Sequence, residues 1–362
     1  MKVCVFDDVV AGALCGYPYR KPIALRAAQV VGAHQDFPVL IALDADPDLA
    51  AHASADAHEL VFTAADGATA LAHEVESYQP ASGALAAWVK VPRLDDSSDT
   101  LLYLYYGASG ATDGVDRAAV WDSGFRAVWH LADLPTGQPG DVRDSTIHHN
   151  HGSSAGGMDS ATRSQGIAGQ ALELDGADGW VRIPNTPALQ ITGAITVEGW
   201  FNTTRSDNSV LISKSGLEPL RGWHLDFEGG SASSTYLQWR IADTPSTMIS
   251  ATTWADISLG SWHYAAATFE PGAEVRLYID GVIDDANPVG VPAAQHDPPN
   301  DIGIGARSDG VSSYLAGRVD ELRVSSVARS ADWIATAHAN ISSPRLFHSV
   351  AAAEALVGTC AP

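Results

Sequence analysis

Lysine is nearly missing from this chain. Only Lys2, Lys21, Lys90 and Lys214 occur among 362 residues. Lys plus Arg number 21 against 43 Asp plus Glu, a net charge of −22. That balance excludes nucleic acid as a partner, because phosphate neutralisation needs basic patches. It also argues against binding to anionic membrane surfaces. Cysteine is scarce as well: Cys4, Cys15 and Cys360. No CxxC pair and no Cys/His cluster of zinc spacing is present. In an exported chain Cys4 and Cys15 are near enough in sequence to close a short disulfide loop. Three is an odd number, so cysteine alone leaves the redox compartment open. No apolar run reaches the ~18 to 20 residues that span a bilayer. Residues 1–15 are mildly apolar, but Asp7 and Asp8 interrupt them. Ala13-Leu14-Cys15 is similar to a lipoprotein cleavage site, with Leu14 where a small residue is required.

Several catalytic signatures are also missing. There is no G-x-S-x-G elbow for a serine nucleophile. No G-x-G-x-x-G opens a helix, and no Walker loop occurs.

What is present is core-forming material and turns. Apolar residues make up 46%, with 10 Trp, 10 Tyr and 8 Phe, enough for a packed interior. Gly 33 and Pro 19 supply the many turns that short-stranded β proteins need. Strand-like runs dominate. Pro38 to Ala42, Leu60 to Thr63, Ala86 to Val91 and Leu101 to Tyr106 are short, apolar and bounded by turn residues. A second series runs from Ala127 to Val324. It includes Trp180 to Ile183, Ile195 to Phe201, Trp223 to Phe227, Tyr236 to Ile241, Trp262 to Phe269 and Glu274 to Ile279. Alternation is clean in Val275-Arg276-Leu277-Tyr278-Ile279. Asp280-Gly281 after it is a hairpin turn. Strands at this spacing predict a sandwich or jelly roll. The one convincing helix is Ser330 to Ala339, with Ser330 as its cap. Trp333, Ile334 and Ala337 share a face there. Val142 to Gln165 reads as a long polar loop.

Ordered pieces give a resemblance. Val128-Trp129-His130-Leu131, Asp144-Ser145-Thr146 with Asn150-His151-Gly152, Ala171 to Gly176, Ile195 to Phe201 and Trp262 to Ala266 follow one another. Leu277 to Gly281 and Gly317 to Val324 complete the series. In this order, residues 126–342 resemble the bacterial laminin-G-like, concanavalin A-like jelly roll. Residues 17–125 resemble a bacterial domain of unknown function, DUF2341. The matching pieces are Tyr19 to Ile23, Phe37 to Leu40, Glu74 to Tyr78, Ala87 to Pro92 and Leu104 to Gly107. The expectation is therefore an all-β chain. A leader-like segment (1–16) and an N-terminal β-sandwich-like domain (17–125) precede a C-terminal concanavalin A-like jelly-roll sandwich (126–342) and a tail (343–362).

The resemblance also implies sites. Laminin-G-like domains often carry one calcium at a sheet edge, and Asp144, Asn150 and Asp320 are the expected Ca2+ ligands. Glucanases of this fold need paired carboxylates on one strand face, as in Glu-x-Asp-x-Glu. The nearest match is His224-Leu225-Asp226-Phe227-Glu228, where His224 replaces the first carboxylate. No catalytic residue is therefore expected. The clustered His148, His149 and His151 lack a nearby Cys or Glu and read as solvated loop residues. For a sugar, aromatic platforms with polar neighbours are the expectation: Trp223, Trp239 and Trp254 with Arg221 and Gln238. Trp200 and Trp262 read as core. The expected function is non-catalytic recognition of a glycan or an extracellular protein at the bacterial cell surface or outside it, assisted by calcium. A structural adhesion or assembly subunit, or a glycoside-active enzyme, remain the alternatives.

Overall fold

A computed structural model describes residues 14–111, 116–216, 221–244, 247–253 and 256–356. The chain divides into two compact units. Residues up to Asp122 and from Ala335 onward form the first, and Ser123–Ile334 form the second.

The first unit holds two antiparallel sheets. Three strands pair in the order His34–Leu43, Ala84–Leu94, His73–Gln79. In the other sheet Tyr19–Leu25 pairs with Thr100–Tyr106, which pairs with Val61–Ala64. Phe37, Val39, Trp88, Val89, Phe62 and Tyr105 are fully buried, so the apolar runs of the sequence are spent on the interior. The tail after Ser342 joins this unit as structure. His348–Val350 and Glu354–Ala355 both pair antiparallel with Tyr19–Leu25. A short helix, Pro47–His52, also forms. Asp46 caps it by accepting the N–H groups of Asp48 and Leu49, each at 3.0 Å. The sequence shows that signal, Asp-Pro, although the periodicity is too brief to reveal a helix.

The second unit is a sandwich of two eight-stranded antiparallel sheets. One has Ile195–Thr203 and Ala316–Ser325 at its centre, with His263–Glu270, Glu274–Ile279 and Val282–Asn287 on one side. Along the other edge of Ala316–Ser325 lie Gln170–Asp175 and Phe125–Trp129. The opposing sheet runs Met248–Thr252, Ser234–Ala242, Trp223–Gly230, Val210–Lys214, Ile302–Ile304, Trp180–Ile183, Ser153–Ala155, with Ile257–Ser258 also paired to Ser234–Ala242. One continuous apolar core fills the space between them, including Trp129, Phe201, Trp223, Phe227, Trp239 and Phe269. Phe201 and Phe227 meet edge to face, with ring centroids 5.0 Å apart. The turn Asp280-Gly281 takes positive φ at both residues (49° and 78°), which favours Gly at the second. The expected polar loop at 142–165 contains two short strands, Ser153–Ala155 and Arg163–Gln165. The predicted helix is Ala331–Ser342, and Ser330 Oγ accepts the N–H of Trp333 at 3.2 Å.

Candidate ligand-binding face

Alternation along two neighbouring strands builds the candidate site. In Trp223–Gly230, Trp223, Leu225 and Phe227 enter the core. His224, Asp226 and Glu228 therefore point the other way. In Ser234–Ala242, Leu237, Trp239 and Ile241 enter the core, which turns Tyr236, Gln238 and Arg240 outward. The register sets His224 opposite Arg240 and Asp226 opposite Gln238. The next strand places Thr252 opposite Gln238 and Ser250 opposite Arg240. The result is a polar patch across three strands, with one exposed aromatic ring, Tyr236.

Charge on this face is tightly knit. Arg240 Nη2 donates to Asp226 at 2.5 Å and also to Glu228. Gln238 donates from Nε2 to Thr252 Oγ1 at 2.7 Å. Burial pushes the Asp226 carboxyl up to about 7, although Arg240 pulls the other way. Burial, and then Arg240, Arg307 and Arg221, hold the His224 imidazole down at about 3. His224 is thus neutral near pH 7. Among the described residues His224 Nε2 and Asp226 Oδ1 have no hydrogen-bond partner. A hydrogen bond to Asp256 raises the Tyr236 hydroxyl above its ordinary pKa. The face offers a flat ring, a primary amide, hydroxyls and a clamped carboxylate pair within one patch.

The structure corrects several expectations from sequence. Trp223 and Trp239 are 1% and 0% exposed, so neither offers a face to a ligand. Trp239 and Gln238 are consecutive in one strand and point to opposite sides. Only Gln238 of that pair reaches the outward face. Arg221 is half-buried, and its carbonyl accepts from His296 Nδ1 at 2.7 Å. Trp254 lies outside the described residues. Tyr236, two positions before Gln238, is the aromatic residue that shares its face. The alternation carries that signal, whereas indole size does not. Trp200 is buried, as expected, whereas Trp262 is half-buried beneath the Arg318 guanidinium at 5.4 Å.

The expected calcium ligands are engaged by donors of the protein itself. Asp144 Oδ1 accepts the N–H groups of Val128 and Thr146, both at 2.9 Å. Its Oδ2 accepts from Thr146 Oγ1 at 2.8 Å and from Asn150 N–H at 2.7 Å. Donors surround this carboxylate where a cation would need bare oxygen. Asn150 Oδ1 accepts from Thr186 at 2.5 Å, and its amide donates to the Arg126 carbonyl. Asp320 Oδ2 accepts the N–H groups of Ile167 and Ala168 at 2.8 and 3.1 Å. Val128 turns both its N–H and its carbonyl toward the 144–145 loop. That loop therefore lies on the edge of Phe125–Trp129 facing away from Ala316–Ser325, which carries Asp320. All three residues anchor loops. The histidines are also engaged: His148 Nε2 lies 3.1 Å from Arg126, and His151 Nδ1 accepts the Asp144 N–H at 3.0 Å. Cys15 is disulfide-bonded, and Cys4 and Cys360 lie outside the described residues.

Residues 175–335 match the family of concanavalin A-like lectin/glucanases. The concanavalin A-like domain thus includes every residue of the polar face. Residues 56–129 match a domain of unknown function (DUF2341). No curated protein matches the sequence. Among solved structures, the binding domain of Paraclostridial Mosquitocidal Protein 1 is 14% identical, with a TM-score of 0.45, over 59% of this chain and 52% of its own. The botulinum neurotoxin serotype G binding domain is 10% identical, with a TM-score of 0.46, over 59% and 50%. The chain thus spans about half the length of these two toxin domains. Domain 4 of AbnA, a GH43 extracellular arabinanase from Geobacillus stearothermophilus, is 19% identical, with a TM-score of 0.44, over 59% and 98%.

Proposed function

We propose that the concanavalin A-like domain is a non-catalytic carbohydrate-recognition module and that its sheet face at Tyr236, Gln238 and Asp226 meets the sugar. The supporting observation is the exposed Tyr236 ring beside a row of hydrogen-bonding side chains. A pyranose has apolar ring faces and polar rims, and this arrangement suits both. The reading is non-catalytic because the strand lacks the full set of alternating carboxylates that glucanases of this fold use. Here one guanidinium nitrogen holds both Asp226 and Glu228, and His224 stands where the first carboxylate would be. No calcium enters this reading. We also place the protein outside a bacterial cell or on its surface. The disulfide at Cys15 supports an oxidising compartment.

A glycan array probed with the full chain tests the reading, followed by calorimetry on the best ligand. Tyr236→Ala should weaken binding about tenfold or more, since one stacked ring contributes on the order of 1–2 kcal/mol. The far-ultraviolet circular dichroism of the variant should match the wild type. New reducing ends released from a polysaccharide, and lost in Asp226→Asn, would replace the binding module with an enzyme.

A further inference from the structure

A cleft of about 560 Å3 opens in the first unit, between the end of His34–Leu43 and the tail strand His348–Val350. Its charged lining is Lys21, Arg26, Asp44, Asp46 and Arg345, together with His348. Most of these charges are already matched. Lys21 Nζ meets Asp46 at 2.5 Å and Asp48 at 3.0 Å. Arg345 pairs with Asp44. Arg26 is exposed and has no carboxylate partner among the described residues.

His348 adds a second unmet group. It is 4% exposed, and its Nε2 accepts the Ala42 N–H at 3.1 Å. An accepting Nε2 in a neutral ring places the hydrogen on Nδ1. Burial, and then Arg26, lower the His348 pKa to about 4, so the ring is neutral. Nδ1 finds no acceptor in the protein among the described residues. A buried donor without an acceptor is costly, and a ligand that supplies one removes that cost. The rest of the wall is mostly small and apolar, Ala42, Ala45, Val350, Ala351 and Ala352, with Leu43 and Ser349 beside them.

We propose that this cleft binds an acidic saccharide, a hexuronate unit whose carboxylate is taken by Arg26 and His348. The sugar's hydroxyls donate to Asp44, and its apolar ring face lies on the alanine and valine wall. A phosphate suits the cleft poorly, because Asp44 and Asp46 stand in its wall. A monoanion that also carries hydroxyl donors uses both signs of charge. This site is separate from the sheet face at Tyr236 and does not depend on it.

The test titrates the full chain by calorimetry with digalacturonate, the neutral disaccharide galactobiose, inorganic phosphate and a short glutamate-rich peptide. Digalacturonate should bind at least about tenfold more tightly than each of the other three. Arg26→Ala should weaken it about tenfold or more. His348→Gln keeps an acceptor near the Ala42 N–H but lacks the Nδ1 donor, and should also weaken binding while the melting temperature is monitored. Tyr236→Ala should leave digalacturonate affinity unchanged, which separates this site from the sheet face. No binding, affinity untouched by Arg26→Ala, or equal affinity for galactobiose, phosphate or the peptide would overturn the proposal.

Discussion

Trp239 donates its indole N–H to the main-chain carbonyl of Thr268 at 3.1 Å, from one sheet of the sandwich to the other. The ring is fully buried, so this residue both fills the core and ties the two sheets. Trp239→Ala should cost about 3–5 kcal/mol, measured by urea unfolding. Trp239→Phe keeps an aromatic ring but removes the indole N–H that reaches the Thr268 carbonyl, and should cost about 1 kcal/mol. A Trp239→Phe variant as stable as the wild type would show that the hydrogen bond contributes nothing.

Stability should depend on pH through Asp226 and His224, in opposite directions. The folded state raises Asp226 from 3.8 to about 7. Its contribution is complete below pH 3.8 and disappears as pH rises through 7. The folded state lowers His224 from 6.5 to about 3. Its contribution is complete above pH 6.5 and disappears as pH falls toward 3. Between about pH 4 and 6.5 the two slopes oppose each other, and above that window Asp226 acts alone. Asp226→Asn should therefore lose less stability than the wild type between pH 6 and 8. Parallel urea midpoints for the two proteins over that range would refute the assignment.

Asp144 should behave as a loop anchor. Asp144→Ala strips acceptors from four donors at once and should destabilise the second unit by about 3 kcal/mol. Millimolar calcium or a chelator should leave the wild-type melting temperature where it is. A clear rise with calcium, lost in Asp144→Ala, would restore a metal role.

Ser330→Ala removes the oxygen that accepts the Trp333 N–H and should cost about 1 kcal/mol in urea unfolding. Ser330→Asp should restore it, since an aspartate caps equally well and favours a helix N-terminus. Failure of Ser330→Asp to recover stability would mean that Ser330 acts by packing.

The fold was largely legible because period-2 alternation is a direct projection of a half-buried strand onto sequence. The strand at Leu101 to Tyr106 has few β-branched residues, yet it forms as Thr100–Tyr106 because both its flanks pair. The site was less legible. Trp223 and Trp239 look like platforms by residue type, whereas the alternation of Leu237 and Ile241 around Trp239 already assigns it inward. Asp144, Asn150 and Asp320 are the right oxygen donors for calcium. What sequence cannot show is that backbone N–H groups take up the Asp144 carboxylate and Asp320 Oδ2, and that Thr186 takes the Asn150 oxygen. The tail strands were invisible for a different reason. His348–Val350 is three residues long, and its partner lies more than 300 positions away.

That partnership sets how the protein carries load. Tyr19 sits opposite Ala355, and Leu25 opposite His348. Tension applied through the two flanking segments would peel these strands apart one rung at a time from the Tyr19 end. The sandwich of Ser123–Ile334, threaded between them in the chain, would feel no pull until that zipper had opened.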